Sequence, residues 1–198
     1  MNLAIVDLAI VVGIIAGVVQ LWGYWLHNKT ATHTDSAVSW AIWGLGSFIT
    51  WFLYAELVND WVKEFLPLLC MFAAFATFLR YAFKGYFSKP DKIDLFVLVL
   101  DVIIIAYWFV YQEATWANLF IQIDVIISFI PMLRSVWKKP HSEDPKPWLV
   151  WSVAYLLLTL TVIMRWESWW ELLYPLNYFV LHFAVWMITK FRRDLVST

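Results

Sequence analysis

The chain has 198 residues, of which 63% are apolar and 20% aromatic, with 15 tryptophans and only 15% charged residues. An ordinary soluble domain is about 45–50% apolar, so this composition excludes a water-soluble globule, and a net charge of −1 gives no basis for nucleic-acid binding. The single cysteine, Cys70, excludes a disulfide framework and a cysteine-based metal site. A membrane-crossing helix takes about 20 residues. Apolar runs of that order occupy 3–26, 36–57, 61–83, 93–111, 115–137, 147–166 and 169–190. None alternates in the manner of an outer-membrane strand. No small-residue cleavage site follows the first run, so it is read as a span and not as a signal peptide.

In chain order, the first span carries Gly13, Gly17, Gln20 and Tyr24 on one helical face. The spacing reaches His27, which with His33 falls in the loop beyond the predicted span. The glycines suit close helix packing, whereas an unpaired carboxamide at the depth of Gln20 is costly. Span 2 bears Trp40, Trp43, Ser47, Trp51 and Tyr54 as a stripe, and span 3 contains Pro67. Asp101 lies near the middle of span 4 and Asp124 near that of span 5, where Ser128, Pro131 and Ser135 share its face. Each acid is either a proton-coupling group or a structural one, held neutral by burial or paired in a salt bridge with a neighbouring helix. Span 6 repeats the aromatic stripe with Trp148, Trp151, Tyr155 and Thr159. Span 7 holds Pro175, Asn177 and His182. A proline within a helix frees one backbone carbonyl, so Pro67, Pro131 and Pro175 are expected hinges. Asn177 and His182 are five residues apart, about 140° round the helix, and cannot share a face, so at most one of them points into a given pocket. Trp61, Trp116, Trp166, Trp169 and Trp170 sit at span ends and read as an interfacial belt.

Charge sets the orientation. With seven spans and an external N-terminus, 12 of the 14 basic residues fall on the inner side: Lys29, Arg80, Lys84, Lys89, Lys92, Arg134, Lys138, Lys139, Lys146, Lys190, Arg192 and Arg193. Lys63 and Arg165 fall on the other, beside Glu56, Asp60, Glu64, Glu113, Glu167 and Glu171. The positive-inside rule therefore predicts N-out and C-in.

The chain also resembles itself. A shift of 108 lays Trp40 on Trp148, Trp43 on Trp151, Pro67 on Pro175 and Lys84 on Arg192. A shift of 111 serves the first helix of each half, placing Gln20 on Pro131. Spans 1–3 thus match spans 5–7. Span 4 is left as a connector that gives both halves the same orientation, a parallel repeat. The expected fold is an all-α integral membrane protein: a three-helix bundle over 1–90, a linker helix over 91–112 and a second three-helix bundle over 113–198.

The segment Gly17-Val-Val-Gln20, the Lys29-Thr30 loop with Ser36 and Ser39, the Trp51-Phe-Leu-Tyr54 motif and Leu66-Pro67 resemble a repeat of the PQ-loop and SWEET transporter superfamily. So do Ile130-Pro131, Arg134, Lys138-Lys139-Pro140 and Tyr174-Pro175-Leu176-Asn177 in the second half. The 3+1+3 plan is shared with full-length SWEET proteins and with nicotinamide riboside transporters. This sequence has Val19-Gln20 where the family has Pro-Gln, and Leu69 where the repeat would place a second asparagine. The resemblance implies a facilitator of a small polar solute such as a sugar, vitamin or nucleoside, bound by Asn177. Its proton-coupled relatives leave a proton site at Asp124 or Asp101 open.

The expected function is therefore a membrane transporter, not an enzyme. Its solute would be held by Asn177, Gln20, Trp51, Trp43, Ser47, Tyr155 and Thr159. A membrane receptor or assembly scaffold on the same seven helices is the alternative. No cofactor and no metal are expected, since His27, His33, His141 and His182 lack ligand spacing and no nucleophile triad or phosphate loop occurs. The partners expected are the solute and the lipid bilayer, in a plasma or bacterial inner membrane, with a homo-oligomer left open.

Overall fold

Ser36, Asp60 and Asp144 each turn a side-chain oxygen onto the backbone N–H two residues ahead. Each satisfies a donor that a helix start would otherwise leave unpaired. The computed structural model describes residues 3–30, 36–90 and 92–196, and those caps mark three of its helix starts. The helices are α1 Leu3–Thr30, α2 Ala37–Val58, α3 Trp61–Phe83, α4 Lys92–Tyr111, α5 Ala114–Lys138, α6 Pro145–Met164 and α7 Leu173–Val196. Short 3₁₀ turns occupy Pro140–Ser142 and Trp169–Leu172, and no strand occurs among the described residues. All seven helices are long and apolar enough to cross a membrane. Large apolar side chains such as Val18, Val99 and Val180 stay exposed on their outward faces, the arrangement of a multi-pass membrane protein and the reverse of a soluble one.

Helix neighbours follow a simple scheme. The third helix packs against both α1 and α2, and α7 against both α5 and α6; α1 lies along α6 and α2 along α5. The fourth helix touches α5 and α2. Close approach of α1 to α3 depends on small residues, because a Cβ on Gly17 would come within 2.8 Å of the Leu69 and Phe65 side chains.

Two expectations shift. The first helix continues to Thr30, so His27 is helical and buried, not part of a loop; His33 lies outside the described residues. The seventh helix begins at Leu173 after a 3₁₀ turn, so Pro175 stands in its first turn, where backbone N–H groups have no helical partner. Pro175 therefore removes no hydrogen bond from within α7 and is not the mid-helix break expected. The carbonyl four residues before it, that of Glu171, accepts the Tyr54 hydroxyl at 3.1 Å. Pro67 and Pro131, by contrast, do lie inside their helices, α3 and α5.

Candidate functional site

Spacings of three and four residues put Trp40, Trp43 and Ser47 on one face of α2 and Trp148, Trp151 and Tyr155 on one face of α6. Both faces turn onto a cavity of about 250 Å³. It reaches the end of the bundle that carries the basic loops, at Ser36, Ser39 and Asp94, and runs inward to Gln20, Cys70 and Asp124. Tyr24 from α1 and Tyr178 and His182 from α7 complete the aromatic wall. Trp148 and Trp151 meet edge to face at 5.2 Å, and Tyr24 meets Trp151 likewise at 5.1 Å. The Trp151 indole N–H donates to the backbone carbonyl of Gln20 at 3.3 Å. That placement needs a glycine opposite, because a Cβ on Gly23 would lie 2.4 Å from the Trp151 ring.

The cavity floor is a polar cluster drawn from four helices. Gln20 Nε2 donates to the Tyr155 hydroxyl at 3.4 Å, and the Tyr174 hydroxyl donates to the same oxygen at 3.5 Å. The Cys70 thiol lies 3.2 Å from the Tyr24 hydroxyl and accepts from Tyr155 at 3.7 Å. Gln20 Oε1 is buried without a partner, which leaves an acceptor available to a solute.

Beyond the floor the bundle is shut. The Tyr54 and Tyr174 rings stand 4.8 Å apart, and behind them lies a knot of charges. Lys63, with no exposed surface, contacts Glu171 at 2.8 Å, Glu167 at 3.6 Å and Asp60 at 4.0 Å. Arg165 Nε donates to the other side of the knot at Asp60 Oδ2. A buried lysine is tolerated only when so paired. The knot ties α3 to the end of α6 and to the turn before α7. Trp61, Trp116, Trp166, Trp169 and Trp170 are all exposed at this end, as an interfacial belt would be.

The structure brings Gln20, Trp43, Ser47, Tyr155, Asp124 and Pro131 to one cavity. It does not bring the others. Asn177 is held by α5: its Nδ2 donates to the Gln122 carbonyl at 3.0 Å and to Gln122 Oε1 at 3.1 Å. His182, the disfavoured member of that pair, lines the cavity instead, with Nδ1 2.7 Å from the Tyr178 carbonyl. Trp51 is half-buried away from the cavity, and Thr159 returns its hydroxyl to the Tyr155 carbonyl at 2.8 Å. Asp101 is fully buried off the cavity, against the bare backbone of Gly46, and neither carboxylate oxygen has a partner. Pro67 and Pro175 also stand outside the lining. Cys70 and Tyr178 escaped the sequence reading as pocket residues. Tyr174, Tyr178 and His182 form a stripe at spacings of four along α7, and the same face analysis used for α1 detects it.

Chemically, the site offers flat aromatic walls, hydroxyls, one carboxamide and two carboxylates, Asp94 and Asp124, with no lysine or arginine among its lining residues. Its volume lies just below the roughly 300–1,000 Å³ of drug-sized sites, which suits a small solute. Among the described residues no group of three His, Cys, Asp or Glu side chains is placed to hold a metal ion. Compared with protein-family models, curated proteins and solved structures, the chain matches none.

Proposed function

We propose that this chain is a membrane transporter of a small polar solute and that the aromatic cavity is its binding site. The observation that carries this reading is a single space that reaches one end of the bundle and is closed off from the other by tyrosines and a charge knot. One-sided access of this kind is what a state of an alternating-access carrier requires. Helix neighbours support the 3+1+3 reading. The pairs α1–α3 and α2–α3 correspond to α5–α7 and α6–α7, and α1–α6 corresponds to α5–α2. Residues 1–90 and 113–198 would then be two parallel bundles, with α4 as the linker, N-out and C-in, resembling the PQ-loop and SWEET plan.

In this reading the solute stacks between the α2 and α6 tryptophans and reaches the partnerless oxygen of Gln20. Transport needs the knot to open and the basic end to close. The link between floor and knot is short: Gln20 bonds Tyr155, Tyr155 bonds Tyr174, Tyr174 packs on Tyr54, and Tyr54 bonds Glu171. Pro67 and Pro131, inside α3 and α5, are the hinge candidates. Asp124, on the cavity wall with a partnerless Oδ1, is the candidate for proton coupling. Asp124→Asn would then leave solute exchange intact and abolish uptake driven by a pH gradient.

The second reading, a receptor or scaffold, is favoured by the two acidic side chains, Asp94 and Asp124, that line the one-sided cavity. A thermal-shift screen of the purified protein against sugars, vitamins, nucleosides and amino acids identifies a ligand. Uptake of that ligand into proteoliposomes then separates the readings. Flux that falls in Gln20→Ala and Tyr155→Ala supports the carrier, and binding without flux supports the receptor. Flux untouched by either variant removes the cavity from the pathway.

A further inference from the structure

Asp124 borders two spaces. Besides the aromatic cavity it lines a groove of about 230 Å³ between α4 and α5, whose walls include Ile103, Ile104, Tyr107, Phe120 and Ile123. Ile103 is 56% exposed and Ile123 47%, so the groove opens sideways, toward the surface that faces lipid. Tyr107 and Phe120, edge to face at 5.3 Å, stand at its far end. From Leu100 to Tyr107 the groove follows seven residues of α4, about 10 Å at the helical rise.

The lining of this groove is apolar except for the Tyr107 hydroxyl and Asp124. Asp124 itself is 2% exposed and its Oδ1 has no hydrogen-bond partner. Neither the groove nor the cavity includes a lysine or arginine in its lining. A buried carboxylate of this kind is expensive unless a donor, and above all a cation, meets it. The protein supplies hydrocarbon along the groove and a carboxyl group without a cationic partner in the lining, and leaves that partner to the occupant.

We infer that the α4/α5 groove is a second binding site, for a lipophilic amine that enters from the bilayer, sets its ammonium on Asp124 and lays its alkyl chain against Ile103 and Ile123. An ammonium donates to the partnerless oxygen and compensates its charge. An alcohol of the same length gives a hydrogen bond without the charge, and an anionic amphiphile is repelled. The same carboxyl also lines the aromatic cavity, so the two spaces share this one group. The site itself stands on the groove and does not depend on the transporter reading.

The test uses the full chain in nanodiscs of phosphatidylcholine and three diazirine-bearing alkyl probes of equal length: an amine, an alcohol and a sulfonate. Light-driven crosslinks are mapped by mass spectrometry. The amine should label peptides containing Ile103 and Ile123. Labelling should fall by at least about tenfold, the worth of one charge-assisted hydrogen bond, both in Asp124→Asn and in Ile103→Trp. The latter fills the groove from the lipid side without touching the cavity, and monodisperse elution of either variant shows that it is folded. The alcohol and sulfonate should label weakly and equally in parent and variants. Amine labelling unchanged in Asp124→Asn, an alcohol that matches the amine, or crosslinks confined to Trp148 and Trp151 peptides would each overturn the assignment. Solute flux plays no part in this readout, so the groove and the transporter reading fail separately.

Discussion

Where Asp60, Lys63, Arg165 and Glu171 meet, buried charges lie within 4.0 Å of opposite ones. Around the cavity nearer the basic end, by contrast, Gln20 Oε1 and Asp124 Oδ1 are buried with nothing to bond. Both regions place polar groups in a bundle that faces hydrocarbon, and both therefore carry a desolvation cost. The knot offsets that cost internally, so it can only hold the bundle shut or come apart as a unit. The cavity leaves it partly unmet, which is the condition for a group from outside to be welcome. Paired charges and partnerless polar groups thus lie at different levels of the bundle.

The sharpest way to break this contrast is Glu171→Ala. It takes from the unexposed Lys63 ammonium its nearest carboxylate, at 2.8 Å, leaving Glu167 at 3.6 Å and Asp60 at 4.0 Å. The loss should cost about 3 kcal/mol, read by unfolding in detergent, while Lys63→Met with Glu171→Leu should recover most of it. A single variant within about 1 kcal/mol of the parent would mean that the knot holds nothing. Next comes the cavity wall. Gly23→Leu must displace Trp151 and should cost about 1–3 kcal/mol through overpacking, accompanied by a shift in tryptophan emission. An unchanged spectrum would show that the ring is not seated against Gly23.

Asn177→Ala sharpens the border between the two roles. It should lower stability by about 1–2 kcal/mol, because Gln122 loses its donor, and leave cavity binding alone, whereas His182→Ala should weaken binding of whatever ligand the screen finds. Reversal of that pattern would return Asn177 to the site. The smallest effect belongs to Tyr54→Phe, which removes one hydroxyl from the Glu171 carbonyl and should cost about 1 kcal/mol. Coupling with a Tyr174 variant in a double-mutant cycle would test the link between floor and knot.

The spans were legible because each apolar run is bounded by charge or a cap, and their ends agree with the helices to within a few residues. Stripes on α1, α2 and α6 were legible for the same reason, since helical spacing alone says which residues share a face. Spacing says nothing about which neighbour that face meets. Asn177 and His182 could be separated from each other by their angle about α7, but only the position of α5 decides that Asn177 meets Gln122. Trp51 and Thr159 continue their stripes in sequence yet pass beyond the cavity, because the tyrosine layer ends it first. Lys63 and Arg165 were visible as the two basic residues set among acids, a sign of pairing that charge counting used only for orientation. Gly23 gave no signal at all, for its importance lies in the ring opposite.

Lys63 and Glu171 stand 108 positions apart, the offset that also lays Trp40 on Trp148 and Pro67 on Pro175. Two identical half-length chains meeting about a two-fold axis would bring the same side chain to both places, and two lysines or two glutamates there would repel. On the repeat reading, this contact is closed to any homodimer of either half. In a single chain the two positions are free to carry opposite signs, so on that reading the bond would be one that only an asymmetric pair of halves can make.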